Sequence, residues 1–232
     1  MISFIDGDVV LYQACWGNDT LEEAKLKLDE ILQSIVETIF CDYYLIAVGG
    51  PNNWRESFYV DYKRSPSRLA SKKNKAEYFD ELKAYLASKE DAVLTDGFEA
   101  DDLIRIWTVQ AEEAGDPFVL CTIDKDLDCV PGYHFNFGRN EKFYIVTPEE
   151  GDTHYWKQIL MGDAVDNIPG LPKVGTVTAS KILEGCDTRT KRKEAVIEAY
   201  KQKYGDEWKP YLLANGRLIH IWKSINDHFM ID

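Results

Sequence analysis

The residues from Met161 to Gly175 have the types and spacing expected of a site that acts on a phosphate ester. They read MGDAVDNIPGLPKVG, so Asp163 and Asp166 stand directly before a loop rich in glycine and proline. Carboxylates of this kind hold hard divalent cations. A glycine-rich loop that opens a helix exposes backbone N–H groups that can meet a phosphate. A metal and a phosphate side by side predict chemistry on a phosphate ester.

Further carboxylates occur where predicted strands end or predicted helices begin. They are Asp6, Asp8, Glu99, Asp101, Asp102, Asp124 and Asp126. The carboxyl ends of strands in a parallel sheet line one crevice, and an Asp-x-Asp spacing directs both carboxylates to the same side. Such a cluster repels itself unless cations neutralise it, and two Mg²⁺ or Mn²⁺ ions roughly 3.5–4 Å apart would do so. Taken singly, each aspartate is equally explained as a cap or turn former.

The pattern of apolar residues predicts the elements that must position these carboxylates. Predicted strands cover 1–5, 43–48, 92–94 and 118–123, and predicted helices cover 21–39, 76–86 and 99–114, the first opened by a capping box at Thr20 and Glu23. Beyond about residue 150 the pattern is helical, with candidates at 156–161, 174–183, 191–204 and 210–222. Strands alternating with helices predict an α/β fold with a mainly parallel sheet covered on both faces.

The distribution of charge is more informative than its total. A net charge of −13 argues against nucleic-acid binding. However, the segment 62–75 carries six basic residues and no acidic one, and a second basic run follows at 189–193. These runs are either solvated faces or contacts for an anionic polymer. The segment 52–74 has little apolar periodicity, which predicts a long, mobile excursion.

The remaining composition argues for a soluble protein of the cytoplasm. The five cysteines are odd in number and form no C-x-x-C pair, so neither a zinc site nor a disulfide framework is indicated. No apolar run reaches the length of a membrane span, and the N-terminus lacks the charged and apolar regions of a secretion signal.

Four motifs in order along the chain resemble those of the 5′-nuclease superfamily, which comprises flap endonucleases, the 5′→3′ nuclease domains of DNA polymerase I and bacteriophage 5′→3′ exonucleases. The motifs are IDGD at 5–8, FEADDL at 98–103, TIDKDLDCVPG at 122–132 and MGDAVDNIPGLPKVG at 161–175. The segment NWRESFYVDYKRSPSR at 53–68 is most similar to the phage members. The resemblance implies a PIN-like nuclease core at 1–150 with a helical arch at about 51–80. It also implies a DNA-binding helical region at 151–232 with a helix–three-turn–helix at about 156–184.

The resemblance also implies the roles of individual residues. One metal ion would be held by Asp6, Glu99 and Asp101, with Asp102 close by, and a second by Asp124, Asp126, Asp163 and Asp166. The predicted catalytic residues are Asp6, Asp101, Asp124, Lys63 and Arg68, the last two steadying the scissile phosphate. The predicted DNA contacts are Tyr62, Lys63, Arg64, Arg68, Lys72 and Lys73 in the arch and Gly170, Lys173, Val174 and Gly175 in the loop. A potassium ion on the loop carbonyls is a further implied cofactor.

One position departs from the family pattern. The family carries an acidic residue after the second strand, where this chain has Gly50. Asp8 either compensates for the missing carboxylate or points elsewhere. The departure leaves open a non-catalytic or weakly active protein that binds branched DNA.

The expected activity is hydrolysis of DNA phosphodiesters near 5′ ends, as a 5′→3′ exonuclease or a flap endonuclease, with water activated by metal attacking in line. The expected partner is duplex DNA with a 5′ end or flap, and an RNA–DNA hybrid is an alternative. The expected state is a monomer in the cytoplasm, which is that of a host cell if the chain is phage-encoded.

A rival interpretation is a haloacid-dehalogenase-type phosphatase, in which Asp6 would be a covalent nucleophile. Against that rival, the segment before Asp163 is predicted as a helix, whereas the late acidic motif of such phosphatases follows a strand.

Overall fold

The computed structural model describes residues 1–73 and 75–231, with the side chain of Lys72 outside the described part. The DNA contact predicted for Lys72 therefore lies outside the described residues. Within them, the strands are Ile2–Asp6 (β1), Tyr43–Val48 (β2), Ala92–Leu94 (β3), Phe118–Cys121 (β4), Gly132–Asn136 (β5) and Lys142–Val146 (β6). These strands form one sheet in the order β3-β2-β1-β4-β5-β6. All neighbouring pairs are parallel except β5 with β6. The predicted α/β class with a mainly parallel sheet is confirmed.

The helices cover both faces of the sheet and then continue as a helical region. They are Gly7–Cys15 (α1), Leu21–Ile39 (α2), Trp54–Phe58 (α3), Pro66–Lys73 (α4), Phe79–Ala87 (α5), Ala100–Ala114 (α6), Pro148–Met161 (α7), Thr176–Ile182 (α8), Arg189–Tyr204 (α9) and Trp208–Ile219 (α10). No helix of residues 1–73 and 75–231 is both long enough and apolar enough to span a membrane.

Alternation along the strands decides which helix covers which face. Ile5 and its neighbours on the same face pack with α1, α2 and α5 in one apolar cluster. Phe4 points the other way and packs against α6 in a second cluster. Successive side chains of a strand lie on opposite faces, so a short apolar run such as ISFID can serve both layers. A third cluster lies among α7, α8, α9 and α10.

The helix predictions were most accurate where capping signals are local. Thr20 accepts a hydrogen bond from the Glu23 amide and the Glu23 carboxylate accepts one from the Thr20 amide, so the predicted capping box is confirmed. Helix α7 begins at Pro148, eight residues before the predicted start, because Thr147 and Glu150 form a second capping box. The β5–β6 hairpin was not predicted.

The basic segment is more structured than its sequence indicated. It contains the short helices α3 and α4, which its weak apolar periodicity did not indicate. Contacts to distant residues hold it: the Ser65 hydroxyl donates to the Val165 carbonyl at 2.6 Å, and the Asn167 side chain donates to the Asp61 carbonyl at 2.9 Å. Apolar periodicity could not reveal these contacts because they are polar and join residues about a hundred positions apart.

Candidate active site

Asp6 lies at the centre of the carboxyl edge of the sheet. It is the last residue of β1 and caps α1, with Oδ1 accepting the Val9 amide at 3.2 Å. Its Oδ2 accepts the Thr122 hydroxyl at 2.8 Å from the end of the neighbouring strand β4. The side chain is only 3% exposed. Burial, followed by repulsion from Asp8, raises the pKa of Asp6 to about 7. The sheet thus holds a carboxylate that carries its charge at a free-energy cost.

Three further carboxylates from two other elements surround the same point. Asp101 lies in the first turn of α6, and Asp124 opens the 3₁₀ turn Lys125–Cys129 after β4. Asp126 accepts the side-chain amide of Gln158 at 2.7 Å. Burial and then Asp6 and Asp124 raise the pKa of Asp101 well above its usual range, and burial and then Asp124 raise that of Asp126 to about 7. These acids are close enough to repel one another.

Basic residues of the segment 51–80, which was predicted as an arch and is called the arch below, neutralise the opposite side of this cleft. Glu99 accepts hydrogen bonds from the Lys63 ammonium and, at 2.8 Å, from the Tyr62 hydroxyl, and it lies 3.1 Å from the Arg55 guanidinium. Burial alone would raise the pKa of Glu99, but Lys63 and Arg55 lower it to about 2. Burial alone would lower the pKa of Lys63, but the carboxylates of Glu99 and Asp166 raise it above its ordinary value.

Asp166 is the second carboxylate that the arch holds. It lies 2.7 Å from the Arg68 guanidinium and 3.7 Å from the Lys63 ammonium. Asp163 stabilises the backbone turn that leads to Asp166, because its Oδ1 accepts the Val165 amide at 2.6 Å and the Asp166 amide at 3.1 Å. The arch side chains leave a cavity of only about 50 Å³ between these acids.

The donor set suits Mg²⁺ or Mn²⁺, which favour carboxylate oxygen. Asp6, Asp101 and Asp126 are crowded carboxylates whose pKa values are raised by burial and then by mutual repulsion, and a bound cation would favour their charged forms. In the described part of the chain, no three carboxylate, imidazole or thiolate groups already stand close enough to enclose an ion. Lys63 and Arg68 hold two of the predicted ligands, Glu99 and Asp166, in ion pairs.

The metal role predicted for Asp102 does not agree with its contacts. Its two oxygens accept the Arg55 guanidinium at 2.6 and 2.8 Å, the Trp222 amide at 2.9 Å and the Glu99 amide at 3.1 Å. The side chain is completely buried. With four donors on two oxygens, Asp102 has no free lone pair directed to the cleft and serves as the buried partner of Arg55.

The DNA contact predicted for Tyr62 also disagrees with the structure. Tyr62 is only 3% exposed and packs in the apolar cluster of the helical region. Its burial leaves no ring face exposed to a base, and its hydroxyl donates to Glu99. Tyr62 instead anchors the arch to the site. Arg64 and Lys73 are exposed and free to meet a phosphate backbone.

Gly50 is a glycine for steric reasons. A Cβ atom at this position would lie 1.5 Å from the Thr95 carbonyl oxygen, so no side chain fits. Asp8 lies beside the same turn, where its Oδ1 accepts the Gly49 amide at 3.0 Å. Burial raises the pKa of Asp8, although the hydrogen bond from Gly49 opposes the rise. Asp8 therefore places a carboxylate next to the position at which the family pattern has its acid.

The predicted phosphate-binding loop has an exposed part and a buried part. Gly170 is buried with φ +61° and donates its amide to Asn215 at 3.1 Å, and the Val174 amide donates to Leu171 at 3.1 Å. Neither amide is free for a phosphate, so these two predicted contacts are wrong as backbone donors. Lys173 and Gly175 are exposed, and Gly175 is the N-cap of α8.

Three residues of the site were missed by sequence reasoning. They are Arg55, Thr122 and Gln158. Thr122 stands two residues before Asp124 at a strand end, which was a usable signal. Arg55 and Gln158 contact acids 47 and 32 residues away, and no local pattern marks such pairs.

Sequence comparison relates the chain to a bacterial 5'-3' exonuclease and to bacterial DNA polymerase I. It is 26% identical to a 5'-3' exonuclease of Buchnera aphidicola (subsp. Schizaphis graminum) over 79% of this chain and 69% of that protein. It is also 29% identical to DNA polymerase I of Bacillus caldotenax over 95% of this chain but only 27% of the polymerase. No family model matches.

Solved structures of the same fold include phage and archaeal nucleases. The T5 D15 protein co-crystallised with metal ions superposes with a TM-score of 0.68 at 14% identity, over 95% of this chain and 88% of that one. Flap endonuclease-1 from Methanococcus jannaschii superposes with a TM-score of 0.57 at 13% identity, over 98% of this chain and 80% of that one.

Proposed function

We infer that this chain, which belongs to the 5′-nuclease superfamily, is a divalent-metal-dependent 5′→3′ exonuclease or flap endonuclease that hydrolyses DNA phosphodiesters near 5′ ends. The observation that carries this conclusion is the convergence of Asp6, Asp101, Asp124 and Asp126 on one cleft that the cationic arch faces. The helix–loop–helix formed by α7, α8 and their connection adjoins that cleft through Asp163 and Asp166.

We assign the metal-holding role to seven carboxylates of the cleft and its rim. They are Asp6, Asp8, Glu99, Asp101, Asp124, Asp126 and Asp166, with Asp163 acting through water. When bound, one or two Mg²⁺ or Mn²⁺ ions would stabilise charge on the phosphate and make the attacking water more acidic. Thr122 and Gln158 orient Asp6 and Asp126 by donating to one oxygen of each. The other oxygen of Asp6 accepts the Val9 amide and has a second lone pair that a ligand could use.

Lys63 and Arg68 have a second role in this proposal. They pair with Glu99 and Asp166 in the free protein, and substrate and metal together would release them. A phosphodiester entering the cleft then meets two cations that can offset the negative charge growing on its oxygens. Arg64, Lys73 and Lys173 are exposed, so they can contact the backbone of the strand and the duplex.

Finer points of the substrate and cofactors follow from the same proposal. We propose duplex DNA with a 5′ end or 5′ flap as the substrate, and a potassium ion on the loop before α8 as an additional ligand. An RNA–DNA hybrid is a second candidate substrate. The protein would act as a monomer in the cytoplasm, with the helical region 151–232 holding the duplex.

Asp124→Asn tests the proposed chemistry. End-labelled duplex and 5′-flap DNA are incubated with protein and Mg²⁺ or Mn²⁺, and binding is measured in parallel by gel shift. The wild-type protein should cleave, and the variant should lose at least about a hundredfold in rate while binding DNA nearly as well, because it loses a charge at the cleft and no DNA contact.

Three outcomes would contradict parts of this proposal. Binding without cleavage by the wild-type protein would indicate a non-catalytic DNA-binding homologue. Full activity of Asp124→Asn would refute the assignment of that carboxylate. Release of phosphate from small monoesters without cleavage of DNA would favour a phosphatase. Asp116→Asn, at an exposed position before β4, is the matched control and should cleave normally.

A further inference from the structure

A second cavity, of about 420 Å³, lies apart from the acidic cleft. Its walls come from α6, the first turns of α7 and α9, and the segment 220–223 after α10. Of the described residues, Ile221 alone lines both this cavity and the cleft. Its charged lining residues are Arg105, Arg189, Arg192, Lys223, Glu149, Asp152 and Asp187.

The acidic residues that line this cavity already form ion pairs with basic side chains. Asp152 accepts Arg189 at 2.5 Å and Arg192 at 3.0 Å, and Glu149 accepts Arg192 at 3.2 Å. Asp187 pairs instead with Lys191, 2.7 Å away on α9. Glu149 and Asp152 therefore form ion pairs with Arg189 and Arg192. Neither acid is paired with Arg105 or Lys223, the other two cations of the cavity.

Arg105 and Lys223 give the cavity its excess of positive charge. Arg105 is buried, and its nearest carboxylate, Glu112, lies at 3.4 Å. The ammonium of Lys223 forms no ion pair within residues 1–73 and 75–231; nearby Asp227 accepts the Lys223 backbone amide at 3.1 Å and His220 at 3.0 Å. Burial, and then repulsion by Arg105 and Arg189, lowers the pKa of Lys223. Arg105 and Arg189 are therefore close enough to Lys223 to repel its charge.

The rest of the lining is apolar and aromatic. Pro131, Pro148, Tyr155 and Ile221 form these walls, and the Arg189 guanidinium lies 5.7 Å from the centre of the Tyr155 ring. A concave site with apolar walls and a few convergent polar groups is the usual form of a small-ligand site, and such sites are roughly 300–1,000 Å³ in volume. Guanidinium and ammonium groups together are suited to a phosphate dianion.

We propose that this cavity binds a phosphomonoester of nucleotide size, with the phosphate held between Arg105, Arg189 and Lys223 and the apolar part against Tyr155 and Ile221. The proposal does not depend on the nuclease function, since none of these three cations contacts the acidic cleft. A free nucleoside 5′-monophosphate and the 5′-phosphate end of a DNA strand share this chemistry, and the experiment separates them.

Calorimetric titration of the whole protein tests the proposal, with EDTA present to exclude metal-mediated binding at the cleft. The titrants are deoxyadenosine 5′-monophosphate, inorganic phosphate and deoxyadenosine. We expect the nucleotide to bind, inorganic phosphate to compete with it, and deoxyadenosine not to bind. Lys223→Gln, and separately Arg189→Gln, should weaken nucleotide binding about tenfold, the effect of losing one charge-assisted hydrogen bond. Lys27→Gln, on the exposed face of α2, should bind as the wild-type protein does.

Each outcome decides the proposal or the source of the ligand. A nucleotide dissociation constant weaker than about 1 mM, or equal affinity in wild type and both cavity variants with unchanged melting temperatures, would overturn it. Competition by a 5′-phosphorylated oligonucleotide, but not by its 5′-hydroxyl counterpart, would support the site and assign it to strand ends. Absence of competition by either oligonucleotide, with nucleotide binding retained, would support the site and assign it to free nucleotides.

Discussion

At the scale of single residues, Arg55 connects three distant parts of the chain. Its guanidinium binds both oxygens of Asp102 and donates to the Leu218 carbonyl at 3.2 Å and the His220 carbonyl at 2.5 Å. It is only 2% exposed. The pair therefore fixes the start of α6, which carries Glu99 and Asp101, against the end of α10.

Arg55→Met should destabilise the protein by about 3–5 kcal/mol, because it leaves the buried Asp102 carboxylate without a counter-charge. The measurement is the free energy of unfolding in urea. Arg64→Met is the matched control and should change stability by less than about 0.5 kcal/mol, since Arg64 is exposed. Adding Asp102→Asn to Arg55→Met should recover part of the loss; equal losses in the Arg55 and Arg64 variants would disprove a structural role for the pair.

Adding a carboxylate at Gly50 should affect the stability of the protein, whereas removing the carboxylate of Asp8 should affect its affinity for metal. Gly50→Asp should lower the free energy of unfolding by about 3 kcal/mol or more, because its Cβ would overlap the Thr95 carbonyl oxygen. Gly175→Asp, in open space at an N-cap, should leave it nearly unchanged. Asp8→Asn should keep the fold and weaken Mn²⁺ binding about tenfold by calorimetry. Unchanged Mn²⁺ affinity would mean that Asp8 does not replace the missing acid.

At the scale of elements, the arch acts as a set of counter-charges for the cleft. Lys63 has φ +54° and donates its backbone amide to the Asp166 carbonyl at 2.9 Å, while its side chain reaches Glu99. Ser65, Arg68 and Tyr62 add contacts on either side. The free protein therefore holds the arch through the same carboxylates that we propose as metal ligands.

Mg²⁺ should loosen the arch in the absence of DNA, because the cation competes with Lys63 and Arg68 for Glu99 and Asp166. Limited trypsin digestion followed by mass spectrometry measures this as faster cleavage after the basic residues of 63–73 with Mg²⁺ than with EDTA, relative to cleavage after the exposed Lys203. Asp166→Asn should show fast cleavage of the arch in both conditions. If the two rates are equal in the wild-type protein, the arch does not share its carboxylates with the metal.

At the scale of the whole molecule, the cleft makes stability depend on pH. The pKa of Asp6 and that of Asp126 are about 7 in the folded protein, against 3.8 for an unperturbed aspartate. The folded state thus binds more protons at these two groups, so their contribution to stability is fully present below about pH 4 and is lost as pH rises through 7. Glu99, with a folded pKa of about 2, contributes stability that is lost only as pH falls below about 4.5.

In EDTA, the free energy of unfolding should therefore be lower at pH 8 than at pH 5 by more than about 1.4 kcal/mol, the equivalent of one pKa unit. Mg²⁺ should reduce this difference by neutralising the cleft. Thermal and urea unfolding at the two pH values measure it, and Asp126→Asn should show a smaller difference in EDTA. A protein that is equally stable at both pH values, with or without Mg²⁺, would contradict the raised pKa values.

The sequence by itself determined the strands β1 to β4, the helices α2, α5 and α6, the helical character of the chain beyond residue 150 and the edge of the sheet at which the acids gather. Alternating apolar patterns, the Thr20 capping box and Asp-x-Asp spacings are local signals, and a parallel sheet brings the carboxyl ends of its strands together whatever the details of packing. Only the tertiary structure decided the partners of those acids. Asp102 faces Arg55, Tyr62 is buried against Glu99, and Gly50 abuts Thr95. Such assignments depend on which distant side chains meet within a few ångströms, and the spacing of residues along the chain does not encode those distances.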